Sequence, residues 1–166
     1  MGIIDTLKNA ELFAGLETHH LKMITELCRG GSFKEGTMIF NEGDEATELY
    51  ILTEGKVVLE MELRPLPDYP PIPSALEVVI KGGCFGWSAI AEPYVYTLSA
   101  RCMTNCTVLA IKGDMLRQAM TDDLSLGYEV MARLVKLVSL RLTHTRLRLT
   151  SGIGLILMGR ELGKPE

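Results

Sequence analysis

Two short runs contain the residues best suited to chemistry, FGWSA at 85–89 and YTL at 96–98. The Thr97 hydroxyl and the Tyr96 phenol can each donate a hydrogen bond, whereas the indole of Trp87 is a donor only. Both rings are also flat surfaces on which another flat molecule can stack. Because neither ring is charged near neutral pH, these runs offer hydrogen bonding and stacking rather than ion pairing.

Three motifs in a fixed order resemble the cyclic nucleotide-binding domain family, which includes the sensory domains of the catabolite activator protein and of protein kinase A regulatory subunits. Residues 33–44 (FKEGTMIFNEGD) are similar to its F-x-x-G-x-x-[IL]-[FY]-x-x-G-D motif. Residues 49–57 (LYILTEGKV) are similar to L-Y-x-[IL]-x-x-G-x-[VA], and the frame at 85–111 follows without a gap. Residues 7–16 are similar to the helical lead-in, so the resemblance covers about residues 5–150.

The resemblance implies a phosphate-binding cassette at residues 85–98 that lacks two charged residues. The family pattern reads F-G-E-L-A and, after a short spacer, R-[AST]-A. Its Glu accepts the ribose 2′-hydroxyl, its Arg pairs with the cyclic phosphate, and a short helix after the Gly offers backbone N–H groups to the anion. Here Trp87 replaces the Glu and Tyr96 replaces the Arg. The expected ligand-binding residues are those of this degenerate cassette: Gly86, Trp87, Ser88, Ala89, Tyr96, Thr97 and Leu98.

Three interpretations of the pocket remain open at this point. An open pocket would take a flat, less charged ligand that stacks on Trp87 and Tyr96. A closed pocket would use the same two rings as core filler and leave a module for dimerisation or protein docking. In the third interpretation, the pocket retains weak cAMP or cGMP binding through backbone N–H groups and Thr97. Arg101 lies an odd number of residues after Tyr96, so a strand would direct it to the opposite face.

Composition restricts the class of protein. The chain has 166 residues, one domain by size, and a net charge of −4, which argues against a general nucleic-acid binder. No apolar run reaches the roughly 18 residues of a membrane span. The histidines, His19, His20 and His144, all lie in predicted helices rather than in the roll, where a metal-dependent β-roll enzyme needs its ligands. We therefore expect no catalytic residue, metal or cofactor, and we expect His19 and His20 at the surface.

Cysteine usage points to a reducing compartment. A chain of this length does not depend on disulfides, and the spacing matches neither a disulfide framework nor a tetrahedral metal site. We predict free, buried thiols in a cytoplasmic protein for Cys28, Cys84, Cys102 and Cys106.

Periodicity divides the chain into three regions and predicts an α+β, mainly β fold. Residues 1–31 are expected to form a helical lead-in, with Gly15 between two helices and Thr18 as the N-cap of the second. Residues 32–113 alternate short aliphatic runs with glycine turns, which predicts an antiparallel, jelly-roll-like β-roll flanked by helices. Residues 114–166 form the third region, with C-terminal helices and an apolar tail.

Residues 64–73 interrupt the roll as a proline-rich insertion. Proline fixes the backbone and removes a hydrogen-bond donor, so we expect a stiff, extended segment outside any sheet. Such a segment is interpreted as an arm toward a second chain, a cover for the pocket, or a tolerated surface insertion. Five of the seven prolines lie here: Pro65, Pro67, Pro70, Pro71 and Pro73.

A long helix is predicted from about residue 122 to 150. The resemblance implies that it forms a parallel homodimer seam. Another face, with Val130, Leu137 and Leu140, is free to pack on the roll. The predicted apolar stripe contains Gly127, Met131, Leu134, Val138, Leu142, Thr145 and Leu149. Its basic residues are expected on a solvated face: Arg133, Lys136, Arg141, Arg146 and Arg148.

The apolar tail at 151–159 is expected to pack on the body or on a second subunit. In the catabolite activator group a helix-turn-helix domain follows here, and we expect no DNA-binding domain within this chain. Together these patterns predict a cytoplasmic, non-catalytic regulatory module that acts as a homodimer. Its input is a small ligand or a downstream protein partner, with cAMP or cGMP binding weak or absent.

Overall fold

The fold is the predicted antiparallel β-roll with helices at both ends of the chain. The computed structural model describes the backbone of residues 2–63 and 70–162 and the side chains up to residue 147. The helices are α1 (Ile3–Lys8), α2 (Thr18–Leu27), α3 (Gly113–Asp122) and α4 (Leu124–Leu162), with a 3₁₀ turn at Trp87–Ile90. The strands are β1 (Cys28–Phe33), β2 (Met38–Phe40), β3 (Glu48–Glu54), β4 (Val57–Leu63), β5 (Ile72–Val79), β6 (Cys84–Phe85), β7 (Ser99–Cys102) and β8 (Cys106–Lys112).

Two four-stranded antiparallel sheets form the roll, in the orders β1-β8-β3-β6 and β2-β7-β4-β5. Strand β3 belongs to the first sheet. Both of its faces are buried, because this sheet lies between the second sheet and the helices. Side chains alternate along a strand, so Tyr50 and Leu52 join the core between the sheets. Leu49 and Ile51 join the core beneath the helices. This double burial explains the continuous apolar run at 49–52.

The helical lead-in is shorter than predicted. Glu17, not Thr18, is the N-cap residue of α2, and the helix ends at Leu27. Residues 28–33 all pair with β8, so the chain becomes a strand before residue 31. Sheet pairing outweighs the low strand preference of Gly30 and Gly31. Gly15, as predicted, lies between the two helices with a positive φ of 80°.

Part of the proline-rich insertion is strand, which corrects the expectation that it lies outside any sheet. Pro73 belongs to β5 and pairs with Glu62 of β4. Strand β5 is at the edge of its sheet. Proline is tolerated at such an edge, because no further strand needs a hydrogen bond from its missing N–H. Residues 64–69 lie outside the described residues, so the roles proposed for the arm stay predictions.

Helix α4 begins where the sequence predicts but continues past residue 150 to Leu162. The carboxylate of Asp123 accepts hydrogen bonds from the N–H groups of Ser125 and Leu126 at 3.0 and 3.1 Å and so caps the helix. No proline interrupts residues 124–162, and the tail at 151–159 is part of the helix rather than a separate segment. Within the described ranges, no helix has the length and apolarity needed to cross a bilayer.

The described part of α4 has one buried face and one exposed apolar face. Leu126, Val130, Leu134 and Leu137 pack into the core, so Leu134 does not belong to a free stripe. Six exposed apolar residues recur at alternating spacings of four and three, which is a heptad pattern. We call these six residues the exposed seam: Leu124, Tyr128, Met131, Val135, Val138 and Leu142. Leu140 and Leu147 are also exposed and lie outside this pattern, so the expectation that Leu140 packs on the roll is wrong. Thr145 continues the pattern and is exposed, and the side chain of Leu149 lies outside the described residues.

The start of α3 packs directly on the 3₁₀ turn at 87–90. A Cβ added at Gly113 would lie 2.2 Å from the backbone oxygen of Ala89. No real side chain tolerates that distance, so only glycine lets α3 approach the turn this closely. Gly30 offers a contrast, because a Cβ there meets nothing within 4 Å.

We predict that Gly113→Ala lowers the free energy of unfolding by about 2 kcal/mol, because the turn or α3 must move. Gly30→Ala is the matched control and should change it by less than about 0.5 kcal/mol. Urea unfolding followed by circular dichroism measures both. Equal stability of the two variants would contradict the close packing of α3 on the turn.

Candidate functional site

The cassette begins at the end of β6, where the chain turns sharply at Gly86. This residue has a φ of 75°, a left-handed conformation that favours glycine. A Cβ at this position would lie 2.9 Å from the backbone oxygen of Glu48 and 3.3 Å from Cε1 of Tyr96. The predicted helix after the glycine is present as the short 3₁₀ turn, which begins at Trp87.

Tyr96 lies inside the roll, with only 4% of its surface exposed. Its ring stacks on Phe40 with centroids 3.7 Å apart and planes 10° apart. Its hydroxyl donates to the backbone oxygen of Glu48 at 2.8 Å and accepts from the N–H of Glu48 at 3.1 Å. Every polar requirement of the phenol is therefore met within the protein. Burial raises the pKa of Tyr96, so the phenol is neutral at physiological pH.

The backbone of Tyr96 is fixed by the turn at the end of the first family motif. Its N–H donates to the carbonyl of Asp44 at 2.9 Å, and its carbonyl accepts from the N–H of Gly43 at 2.8 Å. The turn itself is closed by Asp44, whose carboxylate accepts from the N–H of Asn41 at 2.9 Å. Residues far apart in sequence thus hold Tyr96 at one place beside Gly86.

Four aromatic rings fill the space between the sheets at the cassette. Tyr50 stacks on Phe85 with centroids 5.2 Å apart, and both lie about 6 Å from Phe40. The Tyr50 hydroxyl donates to the carboxylate of Glu48 at 2.8 Å. Burial, followed by this hydrogen bond, raises the pKa of Tyr50. We call Phe40, Tyr50, Phe85 and Tyr96 the aromatic cluster.

Trp87 lies half-buried beneath a cation that the sequence did not place at the site. The guanidinium carbon of Arg141, on α4, is 4.3 Å from the centre of the indole ring, a cation–π contact. Arg141 also donates to the carbonyl of Cys84 at 2.7 Å. Ion pairs with Glu11 at 3.3 Å and Glu77 at 3.1 Å complete its surroundings. The positive charge of Arg141 is thus already paired with carboxylates of the protein itself.

The expectation of a solvated basic face is therefore wrong for two residues. Arg141 is 12% exposed, and Arg133 donates to the carbonyl of Ala14 at 2.9 Å. Lys136 and Arg146 are exposed, as predicted, and the side chain of Arg148 lies outside the described residues. The helical spacing contained a usable signal, because Arg141 follows Leu137 by four residues on the buried face.

Only a small cavity remains at the cassette. Its volume is about 30 Å³, and Ser88, Thr97 and Leu98 line it together with Trp87, Tyr96 and Arg141. That volume holds about one water molecule, whereas small-molecule pockets have roughly 300–1,000 Å³. The structure thus brings most of the predicted cassette residues together, with Ala89 buried behind them and Thr97 exposed at the edge. It favours the closed interpretation.

Arg101 does not supply the missing charge. Its guanidinium donates to both carboxylate oxygens of Glu60, at 2.9 and 2.8 Å, on the outer face of the second sheet. The Arg101 guanidinium holds the pKa of Glu60 below its usual range. Arg101 lies away from Tyr96, as expected, but strand alternation does not explain it, because β7 begins only at Ser99.

The other candidate chemical residues lie outside the cassette. All four cysteines are free; Cys84, Cys102 and Cys106 are buried and Cys28 is half-buried. Burial raises the pKa of Cys28 to about 11 and that of Cys84 to about 12, so these thiols stay protonated and inert at neutral pH. The histidines lie in α2 and α4 as predicted, but His20 is only 1% exposed, which corrects its expected surface position.

Comparison with known proteins settles the family. The model of the cyclic nucleotide-binding domain matches residues 31–123. The chain belongs to this family. Among solved structures of cyclic nucleotide-binding domain folds, a Geobacter metallireducens protein assigned to the cyclic nucleotide-binding proteins has a TM-score of 0.72 and 32% identity. That match covers 86% of this chain and 99% of the other.

Two further matches have lower sequence identity. The CRP-like cAMP-activated global transcriptional regulator of Mycobacterium tuberculosis is 27% identical over 141 residues. The alignment covers 85% of this chain but only 59% of that protein. The catabolite activator protein of Thermus thermophilus has a TM-score of 0.69 at 23% identity, covering 85% of this chain and 62% of that one, and so shares the fold.

We predict that Arg141→Met lowers the free energy of unfolding by about 2 kcal/mol, because a charge-assisted hydrogen bond to Cys84 is lost. It should also change the fluorescence of Trp87, the one tryptophan of the chain. Lys136→Met is the matched control on an exposed face of the same helix. Unfolding followed by fluorescence measures both effects; an unchanged spectrum in Arg141→Met would argue against the stack.

Proposed function

We propose that this domain is a non-catalytic, cytoplasmic regulatory module whose cassette is closed to cAMP and cGMP. One observation carries the proposal: the ring of Tyr96 occupies the cassette and its hydroxyl is bonded to both backbone groups of Glu48. The Mycobacterium tuberculosis relative is a cAMP-activated transcriptional regulator, which supports the regulatory class. We do not extend its response to cAMP to this chain, because Trp87 and Tyr96 stand where the family pattern has Glu and Arg.

The energetic argument follows from what a nucleotide would have to displace. Entry would break two hydrogen bonds of Tyr96 and its stack on Phe40. The cyclic phosphate would then meet a site without an available cation, because Arg141 is paired with Glu11 and Glu77. Charge-assisted hydrogen bonds contribute about 1.5–3 kcal/mol each, and here none replaces those of the family Arg.

We further propose that the module acts as a homodimer through the exposed seam of α4. Six apolar side chains at heptad spacing are between 40% and 77% exposed in a single chain. Such a stripe is costly in water and matches the spacing by which two parallel helices pack. The buried face of the same helix holds it on the roll, so the two faces serve different partners.

We predict no heat of binding when cAMP or cGMP is titrated by calorimetry into the native protein at millimolar ligand. Trp87→Glu with Tyr96→Arg should gain measurable affinity, because it restores both charged groups of the family pattern. Tyr96→Phe is the matched control: it removes the hydroxyl but keeps the ring, and should not bind. Micromolar binding by the native protein would refute the closed cassette.

We predict that Val135→Glu converts a dimer into a monomer, because a charge at the centre of the seam has no partner. Thr143→Glu, on another exposed face of α4, should leave the dimer intact. Sedimentation velocity at several concentrations distinguishes the two. A native protein that stays monomeric throughout, or a Val135→Glu variant that stays dimeric, would disprove the seam.

A further inference from the structure

A cluster of potential metal ligands joins α2 to the start of α4. One donor atom from each of His19, His20 and Asp123 lies within 4.8 Å of the other two. The cluster is remote from the cassette in sequence, and the proposed function does not use it. Two imidazoles and one carboxylate are a ligand set suited to first-row transition metals.

The innermost contact of the cluster has the dimensions of a coordination site. Nε2 of His20 lies 3.2 Å from Oδ2 of Asp123. Metal–ligand bonds of about 2.0–2.2 Å at a tetrahedral angle place two donors about 3.3–3.5 Å apart. His19 has 58% of its side chain exposed, so its ring can shift toward the remaining position without disturbing the core.

A further observation bears on the histidines themselves. His20 is 1% exposed, and burial holds its ring with Nε2 toward the carboxylate of Asp123. Nδ1 of His19 lies 3.2 Å from the carboxylate of Glu17. A carboxylate at Nδ1 favours the tautomer in which Nε2 keeps its lone pair for a metal.

We propose that His19, His20 and Asp123 bind one divalent transition-metal ion of the zinc class. The other oxygen of Asp123 caps α4, through the N–H groups of Ser125 and Leu126. The ion therefore fastens α2 to the first turn of the helix that carries the exposed seam. Three protein ligands leave one tetrahedral position for water.

The test uses cobalt(II) as a spectroscopic probe on the full chain, without a histidine tag and after chelator treatment. One equivalent should produce a visible ligand-field band, which zinc then removes. Zinc should also raise the thermal unfolding midpoint. His19→Ala and Asp123→Asn should abolish the band, and asparagine still caps the helix. Glu17→Gln should weaken cobalt binding by about 10-fold.

His144→Ala is the control, because His144 is exposed on α4 away from the cluster; its cobalt band should equal that of the native protein. The absence of any visible band would overturn the proposal. So would a band that survives in both His19→Ala and Asp123→Asn. A strong near-ultraviolet sulfur-to-cobalt transition would place the ion on a cysteine and would overturn it equally.

Discussion

The hydroxyl of Tyr96 binds both backbone groups of Glu48, and much of the site depends on this interaction. Glu48 begins β3, which pairs with β8 on one side and with β6 on the other. The phenol therefore ties the loop at 91–98 to the central part of the first sheet. Where the family pattern places a cation that needs an anion, this chain has a neutral group satisfied by its own backbone. A ligand is then not required to complete the core.

Helix α4 connects the cassette to the surface where a second subunit would bind. Its buried face packs on the roll, and Arg141 covers Trp87. The exposed seam faces a third direction around the same helix. The exposed seam and the contact between Arg141 and Trp87 therefore belong to the same helix.

The sequence was sufficient for the features that depend on local spacing. Glycine turns, alternating strands and the ordered motifs predicted the roll, and the motif frame placed Trp87 and Tyr96 at the cassette. The environment of Tyr96 was not predictable, because Phe40 and Glu48 reach it only through sheet pairing. Nor was the burial of His20, since its partner Asp123 is 103 residues away in sequence.

Two errors came from how the residues of the long helix were divided between an apolar stripe and a roll-facing set. The stripe combined Leu134, which is buried, with Met131 and Val138, which are exposed, and omitted Tyr128 and Val135. A helix that packs on a core and also presents a seam has two overlapping periodicities, and burial is needed to separate them. The basic residues were also misassigned as a group, because Arg141 lies on the buried face rather than on the solvated one.

The most direct test of the closed cassette is a nuclear magnetic resonance titration of the native protein. The indole N–H of Trp87 gives a single resolved resonance, because the chain has one tryptophan, and it reports on the cavity that Tyr96 and Arg141 share with it. The account predicts that this resonance stays in place as cAMP is raised to millimolar concentration. A saturable shift of the Trp87 resonance, together with shifts at Gly86 and Thr97, would contradict it.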